Sequence, residues 1–187
     1  MIHARHQRST LLITMVIAVV TACATTTVAQ DVDQEKATKV KCAFLPKLVR
    51  FVSWPKNAFP AKDTPITIGV LGKDPFGDDL DDAVEGTTIG NRSYKIVRLD
   101  GFDETPTAEG DAESIEKMKA CHILFIAKSE EEHAGAILDL LADEPVLTVS
   151  DIDDFAESGG MVEFYIKSSG TIGFRINRGE SMDASLK

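Results

Sequence analysis

The sequence is short of basic side chains: 20 Lys and Arg stand against 30 Asp and Glu, a net charge of −10. A nucleic-acid binder neutralises phosphates with Lys and Arg, so this balance argues against that partner, and against charge-driven docking on anionic lipid. No apolar run reaches the ~20 residues that a membrane-spanning helix needs. A G-x-S-x-G elbow is missing. Gly72 and Gly77 have the glycine spacing of a phosphate loop, but Asp78 and Asp79 follow where Lys and Ser or Thr are required. The spaced acids and glycine of a calcium loop are absent. With only four His and three Cys, no spacing offers the three or four ligands of a zinc site. No repeat stands out. What is present, 43% hydrophobic and 27% charged residues over 187 positions, suits one globular domain and a short extra segment.

That extra segment is N-terminal. His3, Arg5, His6 and Arg8 precede the apolar stretch Leu11 to Val20, and small residues follow. A basic start, a short apolar core and a small-residue exit describe a secretory signal over residues 1–29. Two exits fit. Val20-Thr-Ala-Cys23 resembles a bacterial lipobox, which would make Cys23 a lipidated anchor. Thr27-Val-Ala29 resembles an ordinary cleavage site that releases a chain from Gln30. Either exit places the folded part, residues 30–187, in the periplasm, soluble or lipid-anchored, where disulfides persist. Residues 1–29 hold two of the 20 basic residues and no acid, so the remainder carries 18 against 30, or −12. Of its cysteines only Cys42 and Cys121 belong to the fold.

Ala37, Val40, Phe44, Leu48, Phe51 and Val52 recur at three or four residues and predict an amphipathic helix. Pro46 predicts a kink or break within it. Strands are expected at Ile66–Leu71, Tyr94–Leu99, His122–Ile126 and Val146–Val149, and a hairpin at Met161–Lys167 and Thr171–Asn177. Helices are expected from Asp78 to Glu85 and from Glu130 to Ala142, the second capped by Ser129 with Glu132 completing a capping box. Asp100 to Glu116 holds seven acids and no base and reads as a solvated connector. The alternation implies an α/β fold: a three-layer domain with a mixed sheet, parallel in the centre and antiparallel in its C-terminal hairpin.

In such sheets ligands bind beyond the carboxyl ends of the strands. The loops that leave those ends supply Gly72, Lys73, Asp74, Phe76, Ser129, Ser150 and Asp151 as candidate binding residues for a small polar or anionic ligand. The same residue types are also ordinary caps and turn formers. Cys121 and His122 are adjacent in a strand and point to opposite faces, so they form no nucleophile–base pair. No catalytic residue, metal or cofactor is assigned. Cys42 and Cys121 have three readings: a disulfide, two buried free thiols, or one redox-sensitive thiol.

Seven segments together resemble the YfiR-like family of periplasmic proteins. They are Val40–Leu45, Phe51–Pro55, Ile68–Gly77, Cys121–Ile126, Pro145–Asp151, Gly159–Phe164 and Gly173–Asn177. The resemblance implies a non-enzymatic regulator. Proteins of this type bind the periplasmic sensor domain of a membrane diguanylate cyclase and repress it, which lowers cyclic-di-GMP and restrains biofilm formation. A related membrane sensor, such as a kinase, is the other partner it implies, together with possible self-association as a homodimer. Cys121 matches a family cysteine. The bonding partner the family implies, at about Gly69, is a glycine here, and Cys42 stands where the family has alanine.

Overall fold

The computed structural model describes residues 34–103, 109–183 and 186. The signal region and Cys23 lie outside them. The chain divides into two compact units, Met1–Ala37 and Thr38–Lys187. Of the first, only residues 34–37 are described, and they are helical. The second holds the sheet and the candidate binding residues.

This second unit begins in helix α1, residues 38–44. The chain then tightens into a 3-10 segment, Leu45–Phe51, with Pro46 at its start. That is the break expected at Pro46, and it moves the buried face. A turn of three residues replaces one of 3.6, so the expected stripe fails to stay inside. Leu45, Leu48 and Val49 are buried, whereas Val40, Phe44 and Phe51 are exposed.

Seven strands make up the sheet: β1 (Ile66–Leu71), β2 (Thr88–Ile89), β3 (Arg92–Leu99), β4 (Ile123–Ile126), β5 (Leu147–Ser150), β6 (Val162–Ile166) and β7 (Ile172–Ile176). Their order is β2-β3-β1-β4-β5-β6-β7. The strands from β3 to β6 run parallel, while β2–β3 and β6–β7 are antiparallel. The mixed sheet and the C-terminal hairpin match expectation. The β2–β3 hairpin is an addition. Its signal was the two-residue turn Gly90-Asn91, with Gly90 at φ +59°.

Side chains of β4 alternate between two cores. Ile123 and Phe125 join Leu45, Leu48, Ile68, Val149 and Phe164 on one face. Leu124 and Ile126 join Leu71, Met118, Ile137 and Phe155 on the other. Burial on both faces explains the unbroken apolar run of this strand. Helix α2 (Asp78–Val84) puts Leu80 in the first core. Helices α3 (Glu109–Lys119) and α4 (Ala134–Leu141) cover the second with Met118, Ile137 and Leu141. A last short helix, α5 (Arg178–Asp183), comes after the sheet.

Two expectations are corrected. The acidic connector is helical over its second half, because Ile115 and Met118 sit three apart on one face and pack on the core. Residues 104–108 of it lie outside the described residues. The capping box at Ser129 does not form. The segment Lys128–His133 is a 3-10 turn without a side-chain cap, and α4 starts only at Ala134. The Ser129 hydroxyl is engaged elsewhere.

Candidate functional site

Strand β1 lies between β3 and β4, so the order reverses there, and the crevice for a ligand is expected beyond its end. In this protein side chains fill that place. Gly72 has φ +88°, and a Cβ on it would lie 2.4 Å from both the Glu130 carboxylate and the Ser129 hydroxyl. Only glycine allows the loop to come so close. The Lys73 N–H donates to Ser129 Oγ at 2.9 Å. Ser129 donates in turn to Glu130 Oε1 at 2.9 Å, and the Phe102 N–H donates to Glu130 Oε2 at 2.9 Å. The buried Glu130 therefore ties the loops after β1, β3 and β4 together. Sequence reasoning counted this residue only as part of a helix. A carboxylate at this point also opposes an anionic ligand.

The seven candidate residues divide accordingly. Gly72, Lys73 and Ser129 come together around Glu130. Asp74 turns away: it accepts the Phe76 N–H at 2.7 Å, closing an Asx turn, and binds Arg98 Nε at 2.7 Å. Arg98 also holds Asp81, and the two carboxylates keep its guanidinium charged. Phe76 is a core residue set edge-on to Phe125, with ring centroids 4.7 Å apart. Ser150 is buried, donates to the Ile126 carbonyl at 2.7 Å and accepts the Ile152 N–H at 3.0 Å. Asp151 pairs with the buried Lys41 of α1 at 2.5 Å. Two surface clefts are lined by none of the seven. One, of about 330 Å³, opens at the end of β3 over Leu99, Phe102, Ile115 and Met118. The other, of about 290 Å³, is apolar and runs between Phe44, Pro46, Phe51 and Tyr94, with Lys47 and Arg50 at its rim.

Of the three readings of the cysteines, the structure has two buried free thiols. Cys42 and Cys121 are free thiols in the two separate cores, on opposite faces of the sheet. No disulfide can join them across that sheet. Burial raises Cys121 to about 12, and burial together with the acids of α2 and Asp74 raises Cys42 to about 11. Both are therefore protonated and unreactive near neutral pH. What Cys121 does face is Gly69: a Cβ built there would lie 2.6 Å from its sulfur.

His122 points to the other face, as the strand alternation required. Its ring stacks on Phe59 at 4.3 Å and meets Trp54 edge-on at 5.7 Å. Nδ1 accepts the Thr67 N–H at 3.0 Å, which leaves Nε2–H to donate to the Ala58 carbonyl at 2.9 Å. Arg92 covers the far side of Phe59 at 4.1 Å and bonds the Ala61 and Thr64 carbonyls. This stack pins the loop that leads into β1. Burial pushes the imidazole below its ordinary value, against the Ala58 bond, and nearby Arg92 adds to the shift.

A family model described as YfiR/HmsC-like matches residues 38–187, the span of the second compact unit. The chain belongs to the YfiR/HmsC-like family. No curated protein matches it. Membership supports a periplasmic regulator of this general kind. Among the described residues, no helix is long and apolar enough to cross a membrane, and no cluster of His, Cys, Asp and Glu could hold a metal ion.

Proposed function

We propose that this protein is a non-enzymatic periplasmic regulator that binds the outer domain of a membrane diguanylate cyclase, or a related sensor, and holds it inactive. Cyclic-di-GMP then falls. The observation that carries the reading is the family match over the whole of the second unit. The internal use of Glu130, Ser129 and Asp151 supports it, since these groups bond to other parts of the chain rather than stand open for a substrate.

The mechanism is a population shift. The regulator must bind the inactive form of its partner better than the active form, and a nearly complete switch needs a preference of about 10⁴-fold. Deleting the gene should raise cyclic-di-GMP, and the protein should co-purify with a membrane cyclase or sensor kinase. Unchanged cyclic-di-GMP in the deletion, with no such protein retained, would refute the proposal. Mass spectrometry of the exported protein decides whether Cys23 is lipidated or removed.

A further inference from the structure

Charge is unevenly spread along this acidic chain. From Thr38 to Lys62 stand six bases, Lys39, Lys41, Lys47, Arg50, Lys56 and Lys62, and no acid. Lys41 is spent on Asp151. Lys47 and Arg50 are not: both are exposed, and neither pairs with an acid among the described residues. Residues three apart eclipse in a 3-10 turn, so Phe44, Lys47 and Arg50 stand in one outward row. The ammonium of Lys47 lies 5.4 Å from the centre of the Phe44 ring.

This row lines the apolar cleft of about 290 Å³, together with Tyr94 of β3 and with Ala83 and Thr87 at and beyond the end of α2. Phe51, which also lines it, is 79% exposed, the most of any large apolar side chain among the described residues. The 3-10 wall is held from behind. Leu45, Leu48 and Val49 are buried. The Tyr94 hydroxyl donates to the Pro46 carbonyl at 2.8 Å, and the Trp54 Nε1–H donates to the Val49 carbonyl at 3.4 Å. The cleft is therefore preformed, with an apolar lining left open to water, and such a patch marks an interaction site. Its volume is at the lower limit of the ~300–1,000 Å³ of small-molecule pockets, and suits an anchor side chain of a protein partner.

We propose that this cleft is where the outer domain of the membrane sensor docks. The sensor seats a large apolar side chain between Phe44, Phe51 and Tyr94, and sets carboxylates against Lys47 and Arg50. Charge selects this occupant. The basic row stands out from a chain of 30 acids, so an acidic segment is steered here and kept off the rest of the surface. A flat anionic bilayer fits less well. Helix α2, which carries part of the cleft wall, also exposes Asp78, Asp79 and Asp82, and a plane that met Arg50 would be brought near them. A folded partner can place its carboxylates at Lys47 and Arg50 and keep clear of those acids. This inference deepens the regulatory reading and rests on it.

The test is a binding titration of the exported protein against the full-length sensor that co-purifies with it, held in nanodiscs of neutral phosphatidylcholine. Phe51→Ser should weaken binding about tenfold or more, as loss of an anchor contact does. Arg50→Glu should weaken it as much. The double variant Lys47→Gln with Arg50→Gln should respond less to added salt than the parent. Phe174→Ser, an exposed apolar site at the opposite edge of the sheet, should bind as the parent does. In cells Phe51→Ser should fail to lower cyclic-di-GMP in the deletion strain. Circular dichroism establishes that each variant is folded. A sensor that binds the parent, Phe51→Ser and Arg50→Glu equally, or that loses Phe51→Ser and Phe174→Ser alike, would overturn the docking site and leave the regulatory reading standing. A parent that binds no sensor, with cyclic-di-GMP unchanged by deletion, would overturn both. Phosphatidylglycerol vesicles, or a second copy of the chain, that bind the parent and not Phe51→Ser while the sensor binds both equally would overturn it in favour of that occupant.

Discussion

Replacing Gly69 with cysteine should create the cross-link that Cys42 cannot supply. A Cβ on Gly69 lies 3.6 Å from Cys121 Cβ, within the ~3.5–4.5 Å span of natural disulfides. The bond would close a loop of about 50 residues, worth roughly 4 kcal/mol in the chain-entropy model. Against this stands Leu124, whose Cδ1 lies 2.7 Å from the new Cβ and must move. Overpacking of this kind costs about 1–3 kcal/mol. The balance is a gain of about 2 kcal/mol, or roughly 4–8 °C in melting temperature for a domain of this size. The assay is thermal unfolding of Gly69→Cys with and without reductant, alongside a count of free thiols. Oxidised protein should melt above the parent. Reduced protein, which keeps the crowding and loses the bond, should melt below it. Equal melting in the two states, or a bond that recruits Cys42, would refute the placement of Cys121 against Gly69.

Three further outcomes rest on the same geometry. The folded His122 is held below its ordinary value of 6.5, so its contribution to stability is complete above 6.5 and is lost as pH falls through the lowered folded value. Urea midpoints measured from neutral to mildly acid pH should drop, and the drop should shrink in His122→Gln; an identical slope in both proteins counts against this. Lys41→Met leaves Asp151 without its partner and should cost about 2–4 kcal/mol in urea unfolding, at the lower end because Asp151 keeps some contact with water. Adding Asp151→Leu should restore much of that loss, and a double variant no better than the single one would contradict the pairing. Glu130→Ala strips the Phe102 N–H and the Ser129 hydroxyl of their acceptor and should cost about 1–3 kcal/mol. Hydrogen exchange should then quicken at Lys73 and Phe102 together, whereas quickening at one alone would show that Glu130 does not tie these loops.

Periodicity and composition were enough to place most of the scaffold. The short apolar runs at Ile66–Leu71 and Ile123–Ile126, bounded by turn residues, read as buried strands, and Ser168-Ser-Gly170 between two alternating segments reads as a hairpin turn. Alternation along β4 likewise required Cys121 and His122 to part. Local patterns misled where a tertiary partner competed with them. Ser129 has every local mark of a helix cap, yet its hydroxyl goes to Glu130 and to Lys73, a residue 56 positions away. Phe44 and Phe51 fit a helical stripe until Pro46 changed the turn.

The sequence alone determined the sheet-forming segments, the chain's acidity and its family, because each is a matter of residue type and order. Only the tertiary structure decided what the candidate site is. Whether Asp151 faces solvent or Lys41, whether Gly72 borders a cleft or a carboxylate, and which face of the sheet holds each thiol depend on strand order. Strand order brings together residues that lie far apart in the chain, and no local spacing records it.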